Sequence, residues 1–219
     1  MTTDRIKFLA NPWAEGHAIQ DFFWSARLEP SGIWFDLHLQ TADYSAEDTH
    51  TEEEDDETQG DWQAKIVWNN YHQCALSSNY WGGTGFQVAS RERPLDFKVL
   101  SGQEFLVDPL PIDFDVPRAF DIYLLGHDSA ADHRLRFTQR LTPNHFSVDW
   151  RGRIALSYSG SDEFRYEFEA HVESTAFEGI ELPQGTREQD AQSLLAPFVT
   201  HLDAFTPAAS GEDLRFQLQ

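Results

Sequence analysis

The stretch FRYEFEAHV, residues 164–172, alternates apolar and polar side chains with a period of two. A β-strand points successive side chains to opposite faces, so this alternation predicts a strand with one buried face and one face in water. The apolar residues are Phe164, Tyr166, Phe168, Ala170 and Val172. They are expected to contribute to a hydrophobic core that other strands complete.

The same alternation appears on both sides of EPSG at residues 29–32, which has the composition of a tight turn. Residues 22–28 and 33–39 are therefore predicted to form a β-hairpin. Further strands are predicted at 64–68, 73–78, 85–89, 119–125, 134–141, 145–150 and 153–158. So many short strands favour a mainly β fold, an antiparallel sandwich or barrel, in a single domain over residues 1–219.

One segment, residues 186–205, departs from the strand pattern. Its apolar residues recur every three or four positions, at Ala191, Leu194, Leu195, Phe198, Leu202 and Phe205. This spacing predicts one C-terminal α-helix, kinked at Pro197, with a capping box formed by Thr186 and Gln189. After the helix, the alternation at residues 214–218 predicts an edge strand.

The tripeptide Ala-Leu-Ser occurs at residues 75–77 and again at 155–157. Shifting the chain by 80 or by 100 residues also aligns several apolar positions. These alignments are compatible with two four-stranded pseudo-repeats, residues 18–100 and 118–182, with a charged insertion in the first. The alternative is chance, because any two alternating strands can be aligned.

The formal net charge of -21, from 16 Lys and Arg against 37 Asp and Glu, argues against nucleic acid and anionic membranes as partners. Residues 43–61 carry ten of the acids and no Lys or Arg, which predicts a solvated acidic loop. The one cysteine, Cys74, excludes an intramolecular disulfide and is expected to be a small buried hydrophobe. The N-terminal residues have no apolar signal, so a cytoplasmic location is expected.

The segment WNNYHQCALSSNYWGGTGF, residues 68–86, is the predicted binding site. It concentrates aromatic and amide side chains at Trp68, Asn69, Asn70, Tyr71, His72, Asn79, Tyr80 and Trp81. Rings offer apolar contact area and amides fix orientation, a combination suited to carbohydrate or protein recognition. The alternative is that the amides and glycines form plain turns and the tryptophans belong to the core.

Two weaker candidates concern metal binding and catalysis. A loop predicted at residues 127–134 carries the possible ligands His127, Asp128, Asp132 and His133, but their spacing fits no established metal motif. The polar face of the strand at 164–172 continues with Glu167, Glu169, His171 and Glu173, from which an acid and a base can be drawn. The sequence contains no common catalytic or cofactor motif, so no metal, cofactor or catalytic residue is assigned.

Three functions agree with these observations. The favoured one is a noncatalytic acidic binding protein, of the inhibitor, immunity or adaptor type, that engages a basic protein partner. The second is a β-barrel that binds a small lipid-like or sugar-like ligand. The third is a hydrolase of unrecognised type that uses the carboxylates and His171.

Overall fold

The computed structural model describes residues 4–46, 60–210 and 213–219. Within this part of the chain the strands are β1 (Arg5–Phe8), β2 (His17–Glu29), β3 (Gly32–Thr41), β4 (Ala75–Ser77), β5 (Phe86–Ala89), β6 (Glu104–Val107), β7 (Asp121–Tyr123), β8 (His127–Gln139), β9 (His145–Ala155), β10 (Tyr166–Glu181), β11 (Phe205–Ser210) and β12 (Asp213–Leu218). The helices are α1 (Lys65–Tyr71), α2 (Phe97–Leu100) and α3 (Glu188–Leu195). Most of the predicted acidic loop, residues 47–59, lies outside the described residues.

These strands form one sheet that closes on itself. The strand order is β1-β2-β3-β4-β7-β8-β9-β10-β12-β11, and β10 also pairs with β1 and, in parallel, with β2. The other strand pairs among the described residues are antiparallel. The prediction of a mainly antiparallel β fold is therefore confirmed, and the closure is barrel-like.

Strand β10 is the predicted strand at 164–172, extended to Glu181. Phe168, Ala170 and Val172 are buried as the alternation predicts, and the intervening side chains face outward. The predicted hairpin is β2 and β3, which pair from Ile19 to Gly32 around the turn. The interior between these strands is filled by aromatic rings.

Trp24 lies at the centre of that interior. Its ring centroid is 4.3 Å from that of Phe137, 4.7 Å from Phe177 and 4.9 Å from Phe146, and all four side chains are almost completely buried. Close-packed rings of this size make the interior a solid core rather than an open cavity.

The strand predicted at residues 64–68 is wrong, because these residues belong to α1 and to the residue before it. Ala64 and Trp68 are buried, whereas Ile66 between them is 61% exposed. Side chains four residues apart lie on the same face of a helix, as the buried Ala64 and Trp68 do. Ile66 and Trp68 are two residues apart and therefore lie on different faces. Under the shift of 80 residues this helix falls on β9, and the proposed pseudo-repeats stay a prediction.

The helix predicted over 186–205 is shorter in the structure. Helix α3 ends at Leu195, before Pro197, and Thr200 and Phe198 then exchange backbone hydrogen bonds with Leu95. The second half of the predicted stripe becomes a turn, a short 3-10 helix (Leu202–Ala204) and the start of β11, because the ring of a proline cannot continue the hydrogen-bond ladder. The capping box is also absent, since Thr186 donates its hydroxyl to the Pro183 carbonyl.

The predicted loop at residues 127–134 is wrong as well, because these residues form the first part of β8. A register shift between Ala131 and Arg134, with Asp132 at φ 51°, marks a β-bulge there. The tail strand is β12, which pairs with both β10 and β11 and is therefore interior to the sheet. None of the helices among the described residues has the length and apolar composition to cross a membrane.

Candidate functional site

The structure separates the eight residues predicted as a binding site into core and surface. Trp68 is fully buried on the inner face of α1, and Asn69 is half-buried beside it. Asn70, His72, Asn79, Tyr80 and Trp81 are exposed, and Tyr71 is partly exposed. The prediction that these residues form a site stays a prediction, but only the exposed members are available to a ligand.

Trp68 belongs to a buried cluster of rings. Its centroid lies 5.1 Å from those of Tyr44 and Trp62 and 5.2 Å from that of Phe8. Its indole N–H donates to the Trp62 carbonyl at 3.0 Å. Because the ring is enclosed and its polar atom is already paired, Trp68 stabilises the fold and is not exposed to a partner.

Tyr71, Tyr80 and Trp81 belong instead to a group of rings on the surface, which we call the surface aromatic cluster. Its members are Phe23, His38, Tyr71, Tyr80, Trp81, Tyr123, His127 and Tyr158. Each ring centroid lies between 4.5 and 6.4 Å from that of a neighbour, so the rings form a continuous chain from Phe23 to Tyr158. Tyr80, Trp81 and Tyr158 are 43%, 55% and 63% exposed.

The turn after β4 holds the centre of this cluster. Trp81 adopts a left-handed backbone conformation with φ 56°, and the Gly82 N–H donates to the Asp121 carboxylate at 2.6 Å. At Gly83 a Cβ atom would lie 2.7 Å from the Ser77 carbonyl oxygen, so the chain can pass only as glycine. The turn therefore projects Trp81 away from β4, into contact with Tyr123 and His127.

His38 is the buried polar member of the cluster. Its imidazole is completely buried between two rings. The centroid of the imidazole lies 4.9 Å from that of Phe23 and 4.5 Å from that of Tyr80. Within the described part of the chain neither ring nitrogen has a hydrogen-bond partner. Burial lowers the pKa of His38, and the nearby Asp21 partly opposes that shift, so the neutral imidazole is favoured.

Carboxylates surround the Tyr71 end of the cluster. Asp43 lies 3.5 Å from the His72 imidazole, and the backbone N–H of Tyr44 donates to the His72 carbonyl. Burial, together with neighbouring groups that include Tyr158, Tyr123, Asp128 and Asp61, raises the pKa of Tyr71. Asp43 lies beside the residue after α1, and the Trp62 carbonyl accepts from Trp68 of α1, so both ends of the acidic segment 43–61 lie near this helix.

A polar cleft of about 440 Å³ adjoins the other end of the cluster, and Phe23 and Asn79 line it. Arg27 donates to both carboxylate oxygens of Asp36, and the Ser78 hydroxyl donates to the same carboxylate at 3.1 Å. Burial raises the pKa of Asp36, while the hydrogen bond and positive charge of Arg27 lower it in part. On this wall of the cleft the negative charge of Asp36 is therefore paired with the positive charge of Arg27.

On the opposite wall of this cleft, Arg215 lies 3.1 Å from both Glu178 and Glu181. These carboxylates come from β10, and Arg215 comes from β12. A pair of carboxylates held by one guanidinium adds hydrogen-bonding capacity to the cleft.

The four possible metal ligands in β8 do not converge. His127 is in the surface aromatic cluster, and Asp128 accepts the backbone N–H groups of Leu125 and Tyr158. Asp132 lies 3.7 Å from Arg153, and His133 is buried with its Nδ1 accepting from the Trp150 indole. No group of three or more His, Cys, Asp or Glu side chains suited to a metal occurs among the described residues.

The polar row on β10 is a ladder of cross-strand ion pairs on the outer face. Glu167 pairs with Arg153 at 3.2 Å, and Glu169 pairs with Arg151 at 3.4 Å. His171 lies between Asp149 at 2.7 Å and Glu173 at 3.3 Å, and Glu173 also pairs with Arg140. These contacts are typical of a solvated sheet face. Cys74 is buried, and burial raises the pKa of its thiol.

Comparisons of the chain with protein-family models, with curated proteins and with solved structures found no match. The function is therefore inferred from the geometry of this molecule. The surface aromatic cluster brings four exposed rings, those of Tyr80, Trp81, His127 and Tyr158, together with four less exposed ones. Five of its members, Phe23, His38, Tyr123, His127 and Tyr158, were not predicted as part of this binding site, and His127 was considered only as a metal ligand. They lie outside residues 68–86, and the pairing of the strands brings them to it.

Proposed function

We propose that this protein is a noncatalytic acidic binding protein, of the inhibitor, immunity or adaptor type, that engages a basic protein partner through the surface aromatic cluster. The observation that carries the proposal is the exposure of Tyr80, Trp81 and Tyr158 within one continuous chain of rings. Exposed tryptophan and tyrosine side chains that contact one another are the side chains that most often dominate binding energy at interfaces.

Charge determines the class of partner. The chain carries a formal charge of -21, and both ends of the acidic segment 43–61 lie near α1, which carries Tyr71. Lysine and arginine side chains of a partner gain from these carboxylates and from the face of Trp81, through charge attraction and cation–π contact. A basic surface is therefore the expected complement.

The test combines capture with titration. Proteins retained from a cell lysate at low salt are identified, and the Kd of each purified candidate is measured by calorimetry for the wild type and two variants. We expect a basic partner whose Kd rises with salt and rises about 30-fold in Trp81→Ala, the loss typical of a central interface residue. Phe114→Ala removes an exposed ring outside the cluster, and its Kd should stay within about twofold of the wild type.

Three results would contradict the proposal. The first is that nothing is retained at low salt. The second is that the retained partner is acidic. The third is that Trp81→Ala and Phe114→Ala bind the basic partner equally well.

A second candidate function is binding of a small polar, sugar-like ligand in the cleft of Arg27 and Asp36. The specific observation is that a polar network and the ring of Phe23 line the same cleft, a combination that can orient hydroxyl groups against an apolar face. The solid aromatic core favours this sugar-like version over a lipid-like ligand. Native mass spectrometry with a panel of free sugars tests it, and unchanged mass with every sugar would rule it out.

A further inference from the structure

The closed sheet has two different arrangements between β3 and β8. At one end β4 pairs with β3 at residues 38–40, β7 pairs with β8 at 127–128, and β4 and β7 pair with each other. At the other end β5 pairs with β3 at residues 33–35, and β6 pairs with β8 at 133–136. No pairing joins β5 to β6 in the described ranges, so each strand has one edge without a strand partner.

A groove of about 680 Å³, which we call the seam groove, lies along these two edges. Phe86 from β5 and Phe105 from β6 both line it, with ring centroids 5.6 Å apart. Val99 and Leu106 also line it and are 53% and 62% exposed. The seam groove thus combines apolar side chains with two unpaired strand edges.

The chain itself occupies the seam beyond the groove with residues 118–119. The backbone N–H groups of Thr84 and Gly85 donate to the carbonyls of Arg118 and Ala119, each at 3.0 Å. On the other side, the Ala119 N–H donates to the carboxylate of Asp108 at 2.9 Å. Residues 118–119 therefore connect the residues before β5 with the residue after β6, through two backbone hydrogen bonds and one hydrogen bond to a side chain.

We propose that the seam groove binds an extended peptide of a partner protein as an added strand, in line with the position that residues 118–119 hold. The main chain of such a peptide pairs with the edges of β5 and β6. Its side chains on the inner face contact Phe86 and Phe105, and those on the outer face contact Leu106. An unpaired strand edge is a template for this type of pairing.

The charges of the seam groove define the peptide further. Asp96, Glu104 and Asp108 line it together with Arg93, and Arg136 pairs with Glu104 at 2.8 Å from outside the lining, so the carboxylates stay in excess by one. The peptide should therefore carry apolar residues at alternate positions and a lysine or arginine at its ends. The acidic residues 47–59 of this chain are a poor occupant, because these carboxylates repel them. This inference is independent of the proposed function, since none of the surface aromatic cluster lines the groove.

The test uses fluorescent peptides of about seven residues, with Val, Ile or Phe at alternate positions, Thr between them and Lys at both ends, a length that spans the edges of β5 and β6. Binding is measured by fluorescence anisotropy, and hydrogen exchange with mass spectrometry locates it. We expect binding that protects the amides of residues 86–89 and 104–107. Methylation of alternate peptide nitrogens should abolish it, because pairing through the main chain is then blocked.

Protein variants separate the seam groove from the rest of the surface. Leu106→Ala should weaken binding roughly tenfold, because one large apolar contact is lost. Leu141→Ala is the matched control, an exposed leucine outside the groove, and should leave the Kd unchanged. Trp81→Ala should also leave it unchanged, so failure of the proposed function and failure of this inference give different results.

Four outcomes would overturn the proposal. The first is that no peptide binds at about 1 mM, the weakest affinity expected of a specific contact. The second is that methylated peptides bind as well as unmethylated ones, and the third is that Leu106→Ala and Leu141→Ala bind equally. The fourth is that removal of residues 47–59 from the free chain exposes the amides of residues 86–89, since the acidic segment would then be the occupant.

Discussion

Trp68 and Trp81 lie in the same short segment of the sequence, but the fold uses them in opposite ways. Each has ring neighbours at similar distances, 5.1 Å to Trp62 for Trp68 and 5.3 Å to His127 for Trp81. Trp68 is completely buried, whereas Trp81 is 55% exposed. Contact between rings therefore does not distinguish a core from a surface. The backbone decides it, since α1 carries Trp68 into the interior and the turn after β4 carries Trp81 to the surface.

The polar atoms of the two regions differ in the same way. In the buried region the indole N–H groups of Trp62 and Trp68 donate to the carbonyls of Leu9 and Trp62. A buried donor without a partner is costly, so these two hydrogen bonds stabilise the rings around Trp68, whereas the buried indole N–H groups of Trp13 and Trp24 have no partner among the described residues. On the surface, the rings of Trp81 and Tyr158 stay accessible to water and to a partner. The contrast between the two regions can be tested by substitution.

The largest expected effect is on Trp68. Trp68→Ala leaves a cavity beneath α1 and should lower the free energy of unfolding by about 3–5 kcal/mol. Trp81→Ala is the matched control and should change it by less than about 0.5 kcal/mol, because its ring is not enclosed. Urea denaturation followed by circular dichroism measures both values. Similar losses for the two variants would show that the surface aromatic cluster is structural.

The next effect concerns a buried histidine, and it depends on pH. Burial lowers the pKa of His133 to about 3. In the unfolded chain this imidazole is therefore protonated below about pH 6.5, whereas in the folded protein it stays neutral. The contribution of His133 to stability is complete above that pH and falls as the pH is lowered. Between about pH 6.5 and the folded pKa of about 3, this one group should lower the free energy of unfolding by roughly 1 kcal/mol per pH unit.

Denaturation at several values of pH tests this contribution. His133→Gln should be less stable than the wild type at pH 8 but should lose less stability on acidification. Trp150→Phe removes the hydrogen bond to His133 and keeps the imidazole, so it should retain the slope of the wild type. If the curve of His133→Gln runs parallel to that of the wild type, His133 is not the source of the acid sensitivity.

The smallest effect is expected on the outer face of β10. Glu169→Gln removes an exposed ion pair with Arg151 and should change the free energy of unfolding by no more than about 0.5 kcal/mol. Glu167→Gln, which removes the neighbouring pair with Arg153, is the companion measurement. Thermal unfolding at low and high salt would detect a larger contribution, and a loss comparable to that of Trp68→Ala would refute the description of this face as solvated.

The sequence predicted the elements in which one face is buried along a whole strand. The alternation from Phe164 to Val172 and the pattern around residues 29–32 suffice, because a period of two has one structural meaning when it is sustained. The alternation gave a wrong prediction at residues 64–68, because five residues are too few to distinguish a strand from a helix turn. At residues 127–134 it predicted a loop, because most of the residues in this strand are polar. In β8, Ala131 and His133 are fully buried, and a bulge replaces the regular alternation.

The candidate site was predictable only in part. Tyr80 and Trp81 could be selected because they precede two glycines in a turn. Tyr123 and Tyr158 could not, since they reach the cluster through the pairing of β7 with β8 and through the turn that follows β9. Contacts between distant segments leave no local pattern, so the sequence placed Trp68 and Trp81 together when the fold separates them.

Strand β10 joins partners from both ends of the chain, since it pairs with β1, β2, β9 and β12. During synthesis on the ribosome the early strands emerge long before residues 166–181. Their edges stay unpaired until β10 is made and closes the sheet. Contacts so distant in sequence make assembly slow, and the nascent chain is exposed to aggregation for most of its synthesis. The surplus of negative charge keeps such unfinished chains apart while they wait.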